Sequence, residues 1–235
     1  MGFKFHDIGG YNGKDVEVWV FQPHEEDATP CVVTLDEKKL LRGAQGFDPA
    51  GEMDEEKVEE LGIAVKKAIY GAADFGGSVT MLQRDLLQVA RLAGNSGAAY
   101  NKLDLRKFKK VNLIVKYRDP NTGDINYSDY IGGFKARTHS KNNPAGGNAE
   151  VTVDGSAENI VSFDGEGEVV EHIGDGTKTT FTIPADTTDA QLILVESPAG
   201  IILESGYSYD AAGTVTFTKA PEENAVVRIV HTNAQ

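Results

Sequence analysis

VNLIVKYRDPNTGDINYSDYIGGFKART (residues 111–138) writes two strands and the turn between them into consecutive sequence. Val111, Leu113, Val115 and Tyr117 alternate with Asn112, Lys116 and Arg118, the two-residue period of a strand with one apolar face. PNTGD (120–124) supplies Pro, Asn, Gly and Asp, and the chain turns back into 125–138, so the stretch predicts a long β-hairpin. Upstream, DVEVWVFQP (15–23) sets Val16, Val18 and Val20 against Glu17, Trp19 and Phe21 and ends at Pro23, and TPCVVTL (29–35) predicts a second strand. Downstream of SKNNPAGGN (140–148), AEVTVDG and ENIVSF predict two more.

Between the first strands and the hairpin the pattern changes. DEKKLLRGAQGFDPAGEMDEEK (36–57) mixes charges with glycines at no steady period and predicts a long loop, too sparse in apolar residues to order itself outside an assembly. A helix is expected over 54–70: Asp54 is an N-cap candidate, Val58, Leu61, Val65 and Ile69 recur at helical spacing, and Gly71 is a stop. A second helix is expected from Asp85, with Leu86, Val89, Ala90 and Ala93 on one face and Gly94-Asn95 at its end.

From Gly174 to Thr232 short alternating strands are separated by Gly, Asp, Pro and Asn turns. GDGTKTTFTIP (174–184), LILVESPAGIILESGYSYD (192–210) and GTVTFTKAPEENAVVRIVHT (213–232) together predict a small β-sandwich. The expected organisation is a sheet-rich domain over 1–168 and a β-sandwich module over 169–235.

The formal net charge of −13 makes a basic nucleic-acid footprint the wrong expectation. Charge is uneven: residues 25–60 hold 12 Asp and Glu against 4 Lys and Arg, whereas 84–118 hold 9 Lys and Arg against 2 Asp. Opposite patches permit head-to-side association of copies, although two solvated faces is the better reading. Cys31, the single cysteine, sits in an apolar run and reads as a small buried hydrophobe. Neither a secretory leader nor a membrane-length apolar run is present, so a soluble protein made in a cytoplasm is expected.

Chemistry-bearing patterns are missing. His6, His24, His139, His172 and His231 are scattered, with no HExxH, CxxC or phosphate loop beside them, so no metal site, cofactor or catalytic residue is predicted. The Gly pairs at 9–10, 76–77, 132–133 and 146–147 lack strand–helix context and read as turns and bulges. RDPNTGD (118–124) lacks the spacing and closing Glu of a calcium loop. The chain is not read as an enzyme.

The order of parts, strand, strand, loop, GSVTMLQRDLLQVARLAG, hairpin and YIGGFKARTHSKNNPAGGNAEVTVDGSAENI, resembles the tail tube (major tail) proteins of tailed bacteriophages. The C-terminal stretch is similar to the Ig-like β-sandwich modules at the ends of many phage virion proteins. The resemblance implies a mainly β fold: a tail-tube-type sandwich or barrel of two antiparallel sheets with a flanking α-helix and long loop, plus the small C-terminal sandwich. It implies a structural virion protein, assembled in the host cytoplasm. Six copies would form a ring, and rings would stack into a tube that conducts phage DNA during ejection without binding it specifically. Its partners would be itself and other tail proteins such as the tape measure, terminator, and baseplate or tip. The loop and expected helix are the natural arm toward a neighbouring copy, with Leu40, Leu41, Phe47, Met53, Val58, Leu61 and Val65 as interface candidates; the same residues read equally well as intramolecular core. A module added outside the tube points to a non-contractile tail, and Tyr207, Tyr209 and Phe217 are its candidates for weak glycan contact, with core packing the better reading of Phe217. Two alternatives stay open: a β-sandwich carbohydrate-binding or adhesin-type surface protein, and another virion component such as a terminator or decoration protein.

Overall fold

The computed structural model describes residues 16–24, 39–41, 44–58, 67–82, 89, 92, 109–142, 149–183, 191–196, 202–210 and 212–233. The described chain is built from antiparallel strands throughout. β1 (Val16–His24) leads to a two-residue β2 (Lys39–Leu40), and β3 (Ala44–Val58) and β4 (Lys67–Leu82) follow as a long pair. The expected central hairpin is β5 (Lys110–Arg118) and β6 (Ile125–Asn142). Its turn is set by Asp119, whose carboxylate accepts the Asn121 N–H at 2.7 Å while Gly123, at φ 82°, donates to the Asp119 carbonyl. β7 (Glu150–Ala157) and β8 (Asn159–Asp164) complete this part.

β6 is shared by two sheets. Its first half pairs with β5 on one side and β8 on the other, giving a sheet ordered β2-β1-β5-β6-β8. Its second half, from Lys135, pairs with β7, and this sheet runs β6-β7-β4-β3. The chain bends from one sheet into the other at Gly132-Gly133, where β6 carries one residue more than β5. Gly133 is at φ 63° and its N–H is held by Asn112 Oδ1 at 2.8 Å, so this Gly pair does make the expected bulge. The pair at 76–77 does something else: it lies in mid-strand, where a Cβ on Gly77 would meet the Phe47 ring at 2.4 Å. The two sheets curl toward each other, with β1 and β3 in contact but unpaired, and enclose one core. Val16, Val18 and Val20 meet Val79, Met81, Leu113, Phe134, Val151 and Val153 inside it.

Two expectations are overturned here. Ala44–Val58 is a strand, not a loop, and no helix runs over 54–70, because 55–58 and 67–70 are paired strand residues. Helical spacing and strand alternation are both weak in this acidic segment, and cross-strand pairing with β4 decided the outcome. The helix expected from Asp85 lies largely outside the described residues; Val89 and Leu92 are helical and buried in the core. The strand expected at 29–35, Cys31 included, also lies outside them.

The C-terminal part is six strands in two three-stranded sheets. β9 (Glu166–Ile173), β11 (Gln191–Glu196) and β14 (Val226–Asn233) form one, ordered β11-β14-β9. β10 (Thr180–Thr182), β12 (Tyr207–Tyr209) and β13 (Thr214–Phe217) form the other, ordered β10-β13-β12. Phe181, Val195, Val215, Phe217, Val227 and Ile229 fill the space between them. The β11-β14-β9 sheet is apolar on its other face too, and there Val169, Leu194 and Val230 pack on Phe21, Ile114 and Tyr130. The molecule is therefore a stack of four sheets with three buried interlayers.

Candidate assembly surfaces and the module seam

Among the described residues two long strand edges are left open. In the β6-β7-β4-β3 sheet no described strand pairs with the far side of β3 or with the far side of β6 beyond Phe134. Pro49 stands in mid-strand in β3, opposite Gly77 of β4. The directions alternate along the sheet, so β3 and β6 at its two ends run oppositely. β4 pairs with β7 only over Phe75–Leu82, whereas its pairing with β3 continues down to Lys67 with Val58. The last part of β3–β4 is consequently a two-stranded arm beyond the sheet. Such a ribbon is marginally stable in water without a surface to lie on.

A third surface is already occupied. The outward face of the β2-β1-β5-β6-β8 sheet is covered by the β11-β14-β9 sheet, which explains why β5 is buried on both faces, Asn112 and Lys116 included. A single residue, Gly165 at φ 88°, links β8 to β9. Ser128 pins this link by donating to the Gly165 carbonyl at 2.8 Å and accepting the Gly167 N–H at 2.9 Å. Lys116 reaches from β5 to Glu166 at 2.7 Å and Glu168 at 2.8 Å, and lines a recess of about 60 Å³ with Trp19, Phe21, Ile114, Gly167 and Glu168. Deeper in the seam, the Tyr130 hydroxyl donates to Glu196 Oε2 at 2.5 Å, and Arg228 binds Glu171 at 2.6 Å and faces Glu196 at 3.6 Å. Burial, then the Glu196 carboxylate, push the Tyr130 phenol well above its ordinary pKa, so it remains a donor. Burial works against the charge on Arg228, but Tyr130, Glu171 and Glu196 outweigh it and hold its pKa above the ordinary value. These contacts fix the module against the sheet in one orientation.

The sequence-predicted interface candidates separate. Leu41 and Phe47 are buried in the chain's own core, and Leu40 is exposed on β2. Met53 and Val58 lie on β3, in register with Ala73 and Lys67, and Leu61 and Val65 lie outside the described residues. In the module, Phe217 is buried edge-on to Phe181, and Tyr207 and Tyr209 are half-buried against the same core. Within the basic span, Lys116 and Arg118 are engaged inside the chain, Arg118 with Glu17 at 2.6 Å, so they offer no free patch. Among the described residues no cluster of His, Cys, Asp or Glu is arranged to hold a metal, and no helix is long and apolar enough to cross a membrane. Sequence reading missed Ser128, Tyr130, Glu171, Glu196 and Arg228. The signal available was the second apolar face: Trp19, Phe21 and Ile114 stand where an outward row should be polar.

No protein-family model matches the chain, and no curated protein matches it. Among solved structures it is similar to a chain of the sheath–tube complex of an extracellular contractile injection system, at 10% identity over 68% of this chain and 93% of that one, TM-score 0.41. It is also similar to the SPP1 tail tube, at 14% identity over 65% and 78%, TM-score 0.39. The Hcp protein is similar at 10% identity over 63% and 98%, TM-score 0.35.

Proposed function

We propose that this chain is a structural protein of a phage tail, whose copies join edge to edge into rings that stack into a hollow tube. The observation that carries the reading is the β6-β7-β4-β3 sheet, with two long edges that no described strand pairs. Because those edges run oppositely, β3 of one copy set beside β6 of the next continues an all-antiparallel sheet. The contact is heterologous, and repeated around an axis it closes into a ring that leaves no edge exposed. Closure at six copies is the count implied by the tail-tube resemblance.

The four-layer stack sets which way the ring curves. Sheets pack about 10 Å apart, and the other three layers all lie on one side of the joined sheet. They need the larger circumference, so the opposite face lines the passage. That face carries Asp48, Ser78, Thr80, Thr152, Asp154 and Thr138, with Lys135 beside Ser156. Hydroxyls and two carboxylates against this one lysine give a polyanion such as DNA little to adhere to. The module occupies the outer radius in a fixed pose, which favours a non-contractile tail with no close-fitting sheath. The β3–β4 arm is the part that reaches a neighbouring ring, and the tube's ends would meet the tape measure, terminator, and baseplate or tip proteins. Any glycan contact would fall to Tyr207 and Tyr209.

Sedimentation and negative-stain microscopy of the purified chain test the reading. Rings or filaments are expected, and a species that stays monomeric at high concentration overturns it. Replacing residues 53–73 by a short Asn-Gly turn should leave a folded protein that no longer stacks.

A further inference from the structure

Resting on the edge-to-edge reading above, we infer that a proton on Asp129 sets how firmly β3, one of the two joining edges, is seated, with Tyr117 passing the change from sheet to sheet. Tyr117 belongs to the buried core, and its hydroxyl has two acceptors in reach: Asp129 Oδ2 on β6 at 2.8 Å and the Phe47 carbonyl on β3 at 3.5 Å. Asp129 lies in the sheet Tyr117 is part of, in register with Val115 of β5. Phe47 lies in the sheet with the open edges, on the stretch of β3 that the whole sheet backs, level with Val79, Val153 and His139. β1 and β3 are in contact but unpaired, so the Phe47 contact is a polar tie between the two sheets.

A phenol has one proton to place between two acceptors. Burial, then the Asp129 carboxylate, hold the Tyr117 pKa far above its ordinary value, so that proton stays on the phenol. Tyr127, stacked on Tyr117 at 4.2 Å, and Asp48, exposed on β3, act in the same direction. An ionised Asp129 is the stronger acceptor and claims the proton, which leaves the Phe47 contact at the long limit of a hydrogen bond. A protonated Asp129 has an O–H of its own to donate to the Tyr117 oxygen, and Tyr117 then turns its proton to the Phe47 carbonyl. Asp129 is 3% exposed and burial favours its neutral form, while Ser162, exposed on β8, donates to it and connects it to solvent. A strand already held in place needs less ordering when a second copy adds to it, so the protonated form joins at lower concentration.

Hydrogen exchange on the full chain, kept dilute enough to stay unassembled, tests the tie without needing rings. On acidification the backbone amides of residues 44–48 should become about three- to tenfold better protected, after correction for the intrinsic rate, as one net hydrogen bond is gained. Tyr117→Phe keeps the ring and removes the hydroxyl, and should exchange like the neutral parent at every pH. Asp129→Asn donates to the Tyr117 oxygen without titrating, and should exchange like the acid parent at every pH. Asp48→Asn should keep the parent's response. The inference is overturned if the parent shows no response, if the response survives in Tyr117→Phe or Asp129→Asn, or if Asp48→Asn abolishes it. Should Tyr117→Phe not fold, Asp129→Asn decides alone. Sedimentation over the same pH range reads the consequence for assembly: the threshold concentration of the parent should fall on acidification and that of Asp129→Asn should stay fixed. A parent threshold that does not move overturns the link to joining. Absence of rings from the parent at every pH is a separate result, and it removes the edge-to-edge reading instead.

Discussion

Arg228→Met removes the one cation from the deepest part of the seam. Its side chain is 5% exposed, Glu171 is 6% exposed and Glu196 is 0% exposed, so water cannot take over the carboxylates it leaves behind. Breaking a buried pair in this way costs about 3–5 kcal/mol, because an uncompensated charge stays in a low-dielectric interlayer. For a chain of this size, with roughly 2–4 °C lost per kcal/mol, the melting transition should fall by about 6–20 °C. Lys116→Met is the built-in comparison. Its partners Glu166 and Glu168 are 40% and 26% exposed and can be rehydrated, so the expected loss is only about 1–2 kcal/mol. Adding Glu171→Gln and Glu196→Gln to Arg228→Met should recover part of the deficit, since no bare charge then remains. Urea unfolding followed by tryptophan fluorescence reads these changes through Trp19, which lies at the seam. The reasoning fails if Arg228→Met costs less than about 1 kcal/mol, or no more than Lys116→Met.

Other expectations concern the core. Burial raises the pKa of Asp129 above 3.8, against the opposing hydrogen bonds from Ser162 and Tyr117. Between 3.8 and its raised value the folded chain holds a proton that the unfolded chain has released, so this group lowers stability as pH rises through that window. Asp129→Asn removes the titration, and denaturant midpoints should show its stability relative to the parent increasing from acid to neutral pH; a constant difference would contradict the assignment. Gly155→Ala places a Cβ 2.4 Å from the Phe134 ring and 2.7 Å from the Lys135 carbonyl, where neither neighbour can yield freely. A loss of about 1–3 kcal/mol is expected from overpacking, and a neutral result by thermal melting would count against the close approach of β6 and β7.

How much was legible in the sequence depended on whether a segment's pattern matched its own local environment. β5 and β6 were readable because strict alternation and a Pro-Asn-Thr-Gly-Asp turn are local signals. The burial of Lys116, on the polar row of β5, was not readable, since its partners Glu166 and Glu168 come from the distant β9. β3 was misread as a loop and helix because its acids and Pro49 depress strand propensity, while the pairing that makes it a strand comes from β4. Leu41 and Phe47 could be picked out as packing residues, yet nothing local said that their partners lie within the same chain. The open edges and their opposite directions follow from sheet order, which one sequence does not contain.

The bend at Gly132-Gly133 has a mechanical consequence. Tyr130, which seats the module, and Lys135 through Asn142, which would grip the next copy, belong to one strand. Load applied where two copies meet travels along that single rod to the module's footing within about 40 Å. The elbow between them is clamped by the Asn112 contact to Gly133 and by the Glu158 N–H to the Gly132 carbonyl. A tube built this way would bend as one body with its outer layer, because strut and footing are a single piece of chain.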